Sequence, residues 1–275
     1  MFTHYPAQSQ NDPRPLARPQ TVGIWRLTGQ IHAGQWCDIY AAQPADAVGS
    51  PRSDYAVKIA RLPNYEDPEA TRQIRIEAAA RVRHPNVVPL LDGQLEAARP
   101  YLVMPRLEGR TLAQAIEASP PHPLPIALWW ARQSAQGLAA LHAAGWIHGD
   151  LKPTNVMVDP RGHLTLIDLG LAHRIGHGTG NVFRGSPQFS APEVLNGGSL
   201  IHGAVDIYSL GKILEQMLPK THMPEAVREL LTAMIHHDAR LRPTAANLAE
   251  SLLKLEIETL HLHIQPQDAF VRRAA

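Results

Sequence analysis

The stretch "WIHGDLKPTN", Trp146 to Asn155, places Asp150, Lys152 and Asn155 within six residues. Pro153 stops any helix there, because it lacks an N–H and its ring clashes with the preceding turn. A solvated turn can carry such a set by chance, so its meaning depends on the flanks. Upstream, "PIALWWARQSAQGLAALHAAG" (125–145) has helical spacing, with Trp130, Ser134, Gly137, Leu138 and Leu141 on one face. The Trp129–Trp130 pair reads as helix-packing aromatics. Downstream, "NVMVDPRGHLTLID" (155–168) reads as two short strands around a "DPRG" turn. The outer ends of such a hairpin lie together, so Asn155 and Asp168 are expected as neighbours. An amide oxygen and a carboxylate there make a site for a hard cation such as Mg²⁺. Asp150, one turn away, can accept a proton, and Lys152 can neutralise a phosphoryl group.

The 275 residues suffice for one large domain or two small lobes. Apolar content of 44% and charged content of 19% are ordinary for a globular chain, and a net charge of +1 gives no global field toward nucleic acid or anionic membrane. No apolar run reaches the ~18 residues a spanning helix needs. The first twenty residues lack the apolar region of a secretory signal and, rich in Pro and Gln, read as a disordered arm over 1–20. The single cysteine, Cys37, cannot form an internal disulfide, which fits a reducing, cytoplasmic setting. Of 26 basic residues only five are Lys, leaving 21 Arg, so each Lys invites the question of what a compact ammonium does there. Lys58 and Lys152 are the two outside helical patterns; Lys212, Lys220 and Lys254 read as solvated.

The first third reads as short strands, "IWRLTGQIHAG", "CDIYAAQ" and "DYAVKIA", then a helix over "DPEATRQIRIEAAARVRH" with Asp67 as cap and Pro85 just past its end. A hairpin is expected over Leu90–Leu95 and Tyr101–Met104. After "RLEGR" the helical pattern dominates, in "TLAQAIEAS", "VDIYSLGKILEQML", "PEAVRELLTAMI" and "TAANLAESLLKLEIETL". The expected fold class is α+β: a small β-rich lobe with one helix, then a larger, mostly helical lobe.

Taken in order, "AVKIA", "HGDLKPTN", "IDLG" and "SAPE" resemble a eukaryotic-type serine/threonine protein kinase domain. The resemblance implies a domain over 21–256, with an N-lobe (21–104), a hinge (105–109), a C-lobe (110–256) and a tail (257–275). It further implies ATP and Mg²⁺ as cofactors and protein Ser/Thr hydroxyls as acceptors, with no nucleic acid, no membrane span and no stated oligomeric form. Asp150 would orient and deprotonate the acceptor, assisted by Lys152, and Asn155 and Asp168 would hold the metal. Lys58 would contact the α- and β-phosphates, paired with Glu77. Met104 would be the gatekeeper and Pro105 to Leu107 the edge that meets adenine. Ile31, Ile39 and Ala56 would roof the base and Met157 would floor it. Gly34 would approach the phosphates. His148 would be a structural hub, Glu193 would pair with Arg242, and Asp206 would open the helix anchoring the catalytic loop.

Four departures stand out. His32 and Cys37 occupy two of three glycine positions of the phosphate loop, which implies looser ATP binding. Gly149 replaces the Arg before the catalytic Asp, an Arg that elsewhere helps receive a phosphate on the activation segment. On that segment Thr179, Ser186 and Ser190 offer hydroxyls, and Arg174 and Arg184 are expected to lack an anchor to the catalytic loop. Leu169 replaces the middle Phe of the metal motif. The span from Asp206 to Arg242 is short, implying that the family's G-helix region is reduced. Two alternatives stay open: a small-molecule phosphotransferase, favoured by "HGD" but opposed by "GSPQFSAPE", and a non-catalytic binding module, favoured by the altered phosphate loop alone.

Overall fold

The structure is a computed structural model that describes residues 13–47, 49–61, 68–118, 122–177, 183–197, 202–218 and 223–263. Strands β1 (Arg14–Val22), β2 (Trp25–Ala33), β3 (Cys37–Pro44), β4 (Tyr55–Ala60), β5 (Asp92–Gln94) and β6 (Tyr101–Pro105) form one sheet in the order β1-β2-β3-β4-β6-β5. Every pairing in it is antiparallel. The alternation of β2 buries Trp25, Leu27 and Gly29, the pattern of a strand with one wet face. Central β4 is buried along nearly its whole length, and helix α1 (Pro68–Ala79) covers the sheet through Ala70 and Ile74.

The disordered arm expected over 1–20 does not hold for its last residues, and 1–12 lie outside the described residues. From Arg14 the chain is a strand, and the register with β2 shifts between Pro15 and Gln20. Prolines are tolerated here because β1 is an edge strand, where missing donors face outward. Helix α1 ends at Ala79, before the "RVRH" run expected to continue it, and the cap Asp67 lies outside the described residues. The expected hairpin forms, with its first strand reduced to Asp92–Gln94.

The second lobe is built on helix α3 (Leu124–Ala143), preceded by β7 (Arg110–Thr111) and α2 (Leu112–Ala118). Ala127, Leu128, Ala131, Ala135, Leu138 and Leu141 of α3 join one core with α5 (Ala204–Met217), α6 (Glu225–Met234) and α7 (Ala245–His263). Small residues along α3 let its neighbours approach closely. Helix α7 runs past the expected boundary at 256 to His263. Only residues 218–224 separate α5 from α6, in line with a reduced G-helix region. Strands β8 (Trp146–Ile147), β9 (Val156–Val158), β10 (Leu164–Leu166) and β11 (His173–Arg174) and short helix α4 (Pro192–Leu195) lie between α3 and α5. The β9–β10 hairpin forms as expected. It is stitched to the first lobe where Leu166 N donates to Asn86 O (2.8 Å) and Val88 N to Leu166 O (2.9 Å).

Candidate active site

Lys58 lies mid-β4, opposite Ile39 and Leu102, which turns its side chain beneath the sheet. Only 5% of it is exposed. A buried ammonium persists when paired: Nζ is 2.5 Å from Glu77 Oε2 of α1 and 2.7 Å from Asp168 Oδ1. Burial alone would lower the Lys58 pKa, but Asp168 and Glu77 outweigh it and raise it. Burial also pushes Glu77 above the usual carboxylate range, against the pull of Lys58.

Asp168 follows β10 and has φ of 62°, rare outside glycine. That geometry is held by Gly170 N donating to Oδ1 (3.2 Å) and by Lys58 on the same oxygen. Nearly half of its side chain (47%) is exposed. Desolvation works to raise its pKa, and the Lys58 charge and hydrogen bonds overcome it, holding the carboxyl at about 2. Asn155 sits beside it as expected, since Ile167 N donates to Asn155 O (3.0 Å). Asn155 Nδ2 donates to Asp150 O (2.9 Å) and Oδ2 (3.2 Å), which pins the donor end of the amide and turns its oxygen the other way.

The loop between β8 and β9 hangs on one carboxylate. Asp206, in the first turn of α5, accepts from His148 N (2.8 Å) and Gly149 N (3.1 Å) and bonds His142 Nε2 (2.9 Å). Burial would raise its pKa; the His142 contact leads those that lower it. His148 is fully buried, with Nε2 3.2 Å from Ile167 O. A carbonyl can only accept, so that nitrogen carries the proton and the ring is a structural strut. Gly149 has φ of 78°, and a Cβ there would lie 2.5 Å from Leu171 O. The backbone itself excludes the Arg that the family pattern places here.

Asp150 Oδ2 is 2.7 Å from Lys152 Nζ, while its Oδ1 is buried and unpartnered among the described residues. Lys152 Nζ also donates to Ser186 Oγ (2.9 Å). In the sequence Ser186 is only one of several segment hydroxyls; it stands 34 residues from Lys152, and no local pattern marks the contact. Farther along, Arg242, fully buried, donates to Glu193 Oε1 (2.6 Å) and Oε2 (2.9 Å) and stacks over Tyr208. This is the expected pair, and it fastens the end of the segment to the helical lobe. The segment's start is fastened too: β11 pairs with β8, and the Arg174 guanidinium lies 4.3 Å from the Trp146 ring centroid. Arg174 therefore has the anchor beside the loop that the sequence reading denied it, a stacking contact that no spacing rule reveals.

Ala56 and Met104 are buried in one apolar cluster, with Ile31, Ile39, Leu107 and Ile167 packed against it. Met157, also buried, lies on β9, opposite Thr111 and Thr165. On the connecting edge Pro105 has no N–H and Arg106 N is committed to Asp54 O (2.8 Å), so Leu107 is the remaining donor position. Gly34 is needed for close approach: a Cβ would lie 2.4 Å from Cys37 O, which accepts the Gly34 N–H (3.1 Å). Arg61 Nη1 caps the same turn at Gly34 O (2.6 Å). His32 is exposed, whereas Cys37 is buried, and that burial pushes its thiol pKa up to about 11.

The residues present fit a nucleotide with a divalent ion. The apolar cluster suits a flat base, the Asn155 oxygen and the Asp168 carboxylate are hard donors, and Lys58 supplies charge for phosphate. Among the described residues no His, Cys, Asp and Glu cluster of three or more forms a separate metal centre, and no helix is long and apolar enough to cross a membrane.

Comparison with known proteins gives the same architecture. The protein kinase domain profile matches residues 46–227, more than half of the chain. The chain is 28% identical to serine/threonine-protein kinase PknB of Mycobacterium leprae over 219 residues, 76% of this chain and 35% of that protein. It is 30% identical to serine/threonine-protein kinase PrkC of Bacillus subtilis over 255 residues (91% and 38%). With the cAMP-dependent protein kinase catalytic subunit of Arthrobotrys oligospora it shares 31% over 209 residues (72% and 40%). The matched region thus spans between about a third and two fifths of the length of these relatives. On the strength of the profile match and the two-lobed fold, the chain belongs to the protein kinase family.

Proposed function

We propose that this domain transfers the γ-phosphoryl group of ATP to Ser or Thr hydroxyls of proteins. One observation carries the reading most: in a single cleft, Lys58 bridges Glu77 and Asp168, while Asp150, Lys152 and Asn155 form a bonded triad. Asp150 is the base, because Oδ1 has no partner among the described residues and can accept the proton of an incoming hydroxyl. Lys152 holds the Asp150 carboxylate in place at 2.7 Å and offers charge to the transferring group. Lys58 steadies the α- and β-phosphates, and Glu77 fixes its position. The adenine ring would be held between Ile31, Ile39 and Ala56 above and Met157 below, with Met104 at the back and the Leu107 N–H on the edge. Asn155 and Asp168 would hold Mg²⁺, which would supply charge neutralisation for the transferring phosphoryl group. Gly34 shapes the covering turn, although its own N–H is directed at Cys37. The reading extends over residues 21–256, with β1 adding a strand ahead of it, and sets the activity in the cytoplasm, where ATP is abundant.

The small-molecule alternative is disfavoured by the ordered segment from Ser186 to Glu193, tied down at Lys152 and Arg242. Incubation with labelled ATP, Mg²⁺ and generic protein substrates tests the reading. Label on Ser or Thr supports it; label only on small alcohols, or none, removes it.

A further inference from the structure

Residues 69, 73 and 77 are four apart, so they share one face of α1. Each meets a different part of the cleft. Glu77 holds Lys58. Gln73 Cβ lies 3.2 Å from where a Cβ on Gly170 would stand, against the turn that shapes Asp168. Glu69 Oε2 is 3.5 Å from Arg184 Nε, on the segment. Arg184 stands two residues before Ser186, which bonds Lys152 beside Asp150. Glu69 is braced for this contact by Arg72 Nη2 (2.7 Å) and Nε (3.0 Å) and by Gln73 Nε2 (3.1 Å). Both partners are partly buried, with Arg184 34% and Glu69 18% exposed, so water screens the pair less than a surface bridge.

We propose that Glu69 and Arg184 are positioning residues, forming a phosphate-free tether that holds α1, and with it Glu77, in register with the activation segment. The inference rests on the kinase reading above. A covalent phosphate is one way to tie a segment to a helix through arginine; here a resident carboxylate occupies the anionic half of such a contact. Hydrogen bonds from Arg72 lead the effects that hold the Glu69 carboxyl at about 2, so the anion is present throughout the physiological range. Gly149 fits the same arrangement, since the loop cannot contribute an arginine of its own at that position.

The test uses the full chain carrying Glu69→Gln, Arg184→Gln, both together, or Arg184→Lys, each assayed before and after phosphatase treatment. Either Gln variant should lower kcat about 2–5-fold, the range of one partly screened ion pair, with the KM for ATP within about twofold. The double variant should be no worse than either single one, Arg184→Lys should keep most of the wild-type rate, and phosphatase should lower turnover by less than about tenfold. Additive losses, an Arg184→Lys defect equal to that of Arg184→Gln, or unchanged kcat in the Gln variants would overturn the tether. Amide exchange over residues 68–79 gives a readout independent of turnover: it should quicken in Arg184→Gln. If the wild type transfers no phosphate, the kinase reading fails, and unchanged exchange in Arg184→Gln then overturns the tether on its own.

Discussion

Lys58 on β4 and Glu77 on α1 meet at 2.5 Å, joining the sheet to its covering helix through a pair that is almost wholly buried. A buried ion pair is tolerated only intact; removing one partner strands the other. Lys58→Met should therefore lower stability by roughly 3–5 kcal/mol, measured by denaturant unfolding, as well as abolishing phosphoryl transfer. Glu77 then takes up a proton, a change that its raised pKa already favours. Adding Glu77→Leu should restore at least half of the lost stability while transfer stays lost. A double variant as unstable as the single would show that the pair is not the cause.

Gly149→Arg should not recreate a phosphate-switched enzyme. The left-handed backbone costs a non-glycine residue about 1–2 kcal/mol, and the 2.5 Å approach to Leu171 O adds to it. Unfolding experiments should show a loss of at least that size. Thr179 lies outside the described residues, but the same reasoning predicts that Thr179→Ala and phosphatase treatment each lower turnover by less than about tenfold, or ~1.4 kcal/mol of barrier. Larger losses in both would mean the segment is phospho-switched.

Cys37 tests the electrostatics beneath the phosphate loop. Burial disfavours the thiolate, so its pKa rises from 9.0 to about 11. A raised pKa means that the thiol stays protonated through neutral pH, and thiolate accumulates only as pH climbs toward the folded value. At about pH 8, iodoacetamide should alkylate the native chain roughly 100-fold more slowly than the urea-unfolded chain, the ratio of the two thiolate fractions. Equal rates would place Cys37 in solvent and revive the idea of a redox-sensitive loop.

The sequence carried the site farther than it carried the element boundaries. Asp150, Lys152, Asn155 and Asp168 were legible because a loop and a hairpin place them by local geometry, and Lys58 because a strand runs through it. Contacts made by long-range packing left no local trace. Ser186 reaches Lys152, and Arg174 stacks on Trp146, only because the segment folds back on the loop. The strand at Arg14–Val22 was hidden by prolines that an edge position accommodates, and the fit of Gly149 appears only when its φ is known. His32 and Cys37 look alike as departures from glycine, yet one is exposed and the other buried, a difference set by the twist and bulge of β2 against β3.

Arg242 carries a stability prediction. Its side chain is fully buried and donates to Glu193, His236 O, His237 O and Ala204 O. Arg242→Met should cost on the order of 3–5 kcal/mol and loosen the segment at Glu193. Thermal unfolding and protease sensitivity of residues 183–197 check it; wild-type values in both would mean that the pair is dispensable.

Phosphoryl transfer with Asp150 as the base stands or falls on the rate of transfer from labelled ATP to a generic protein substrate, measured for the wild type and for Asp150→Asn with folding verified by circular dichroism. Asn preserves the shape and removes the charge that accepts the proton. The wild type should transfer label measurably, and the variant should lose about 10²–10⁴-fold of that rate. Wild-type-like turnover in folded Asp150→Asn would contradict it.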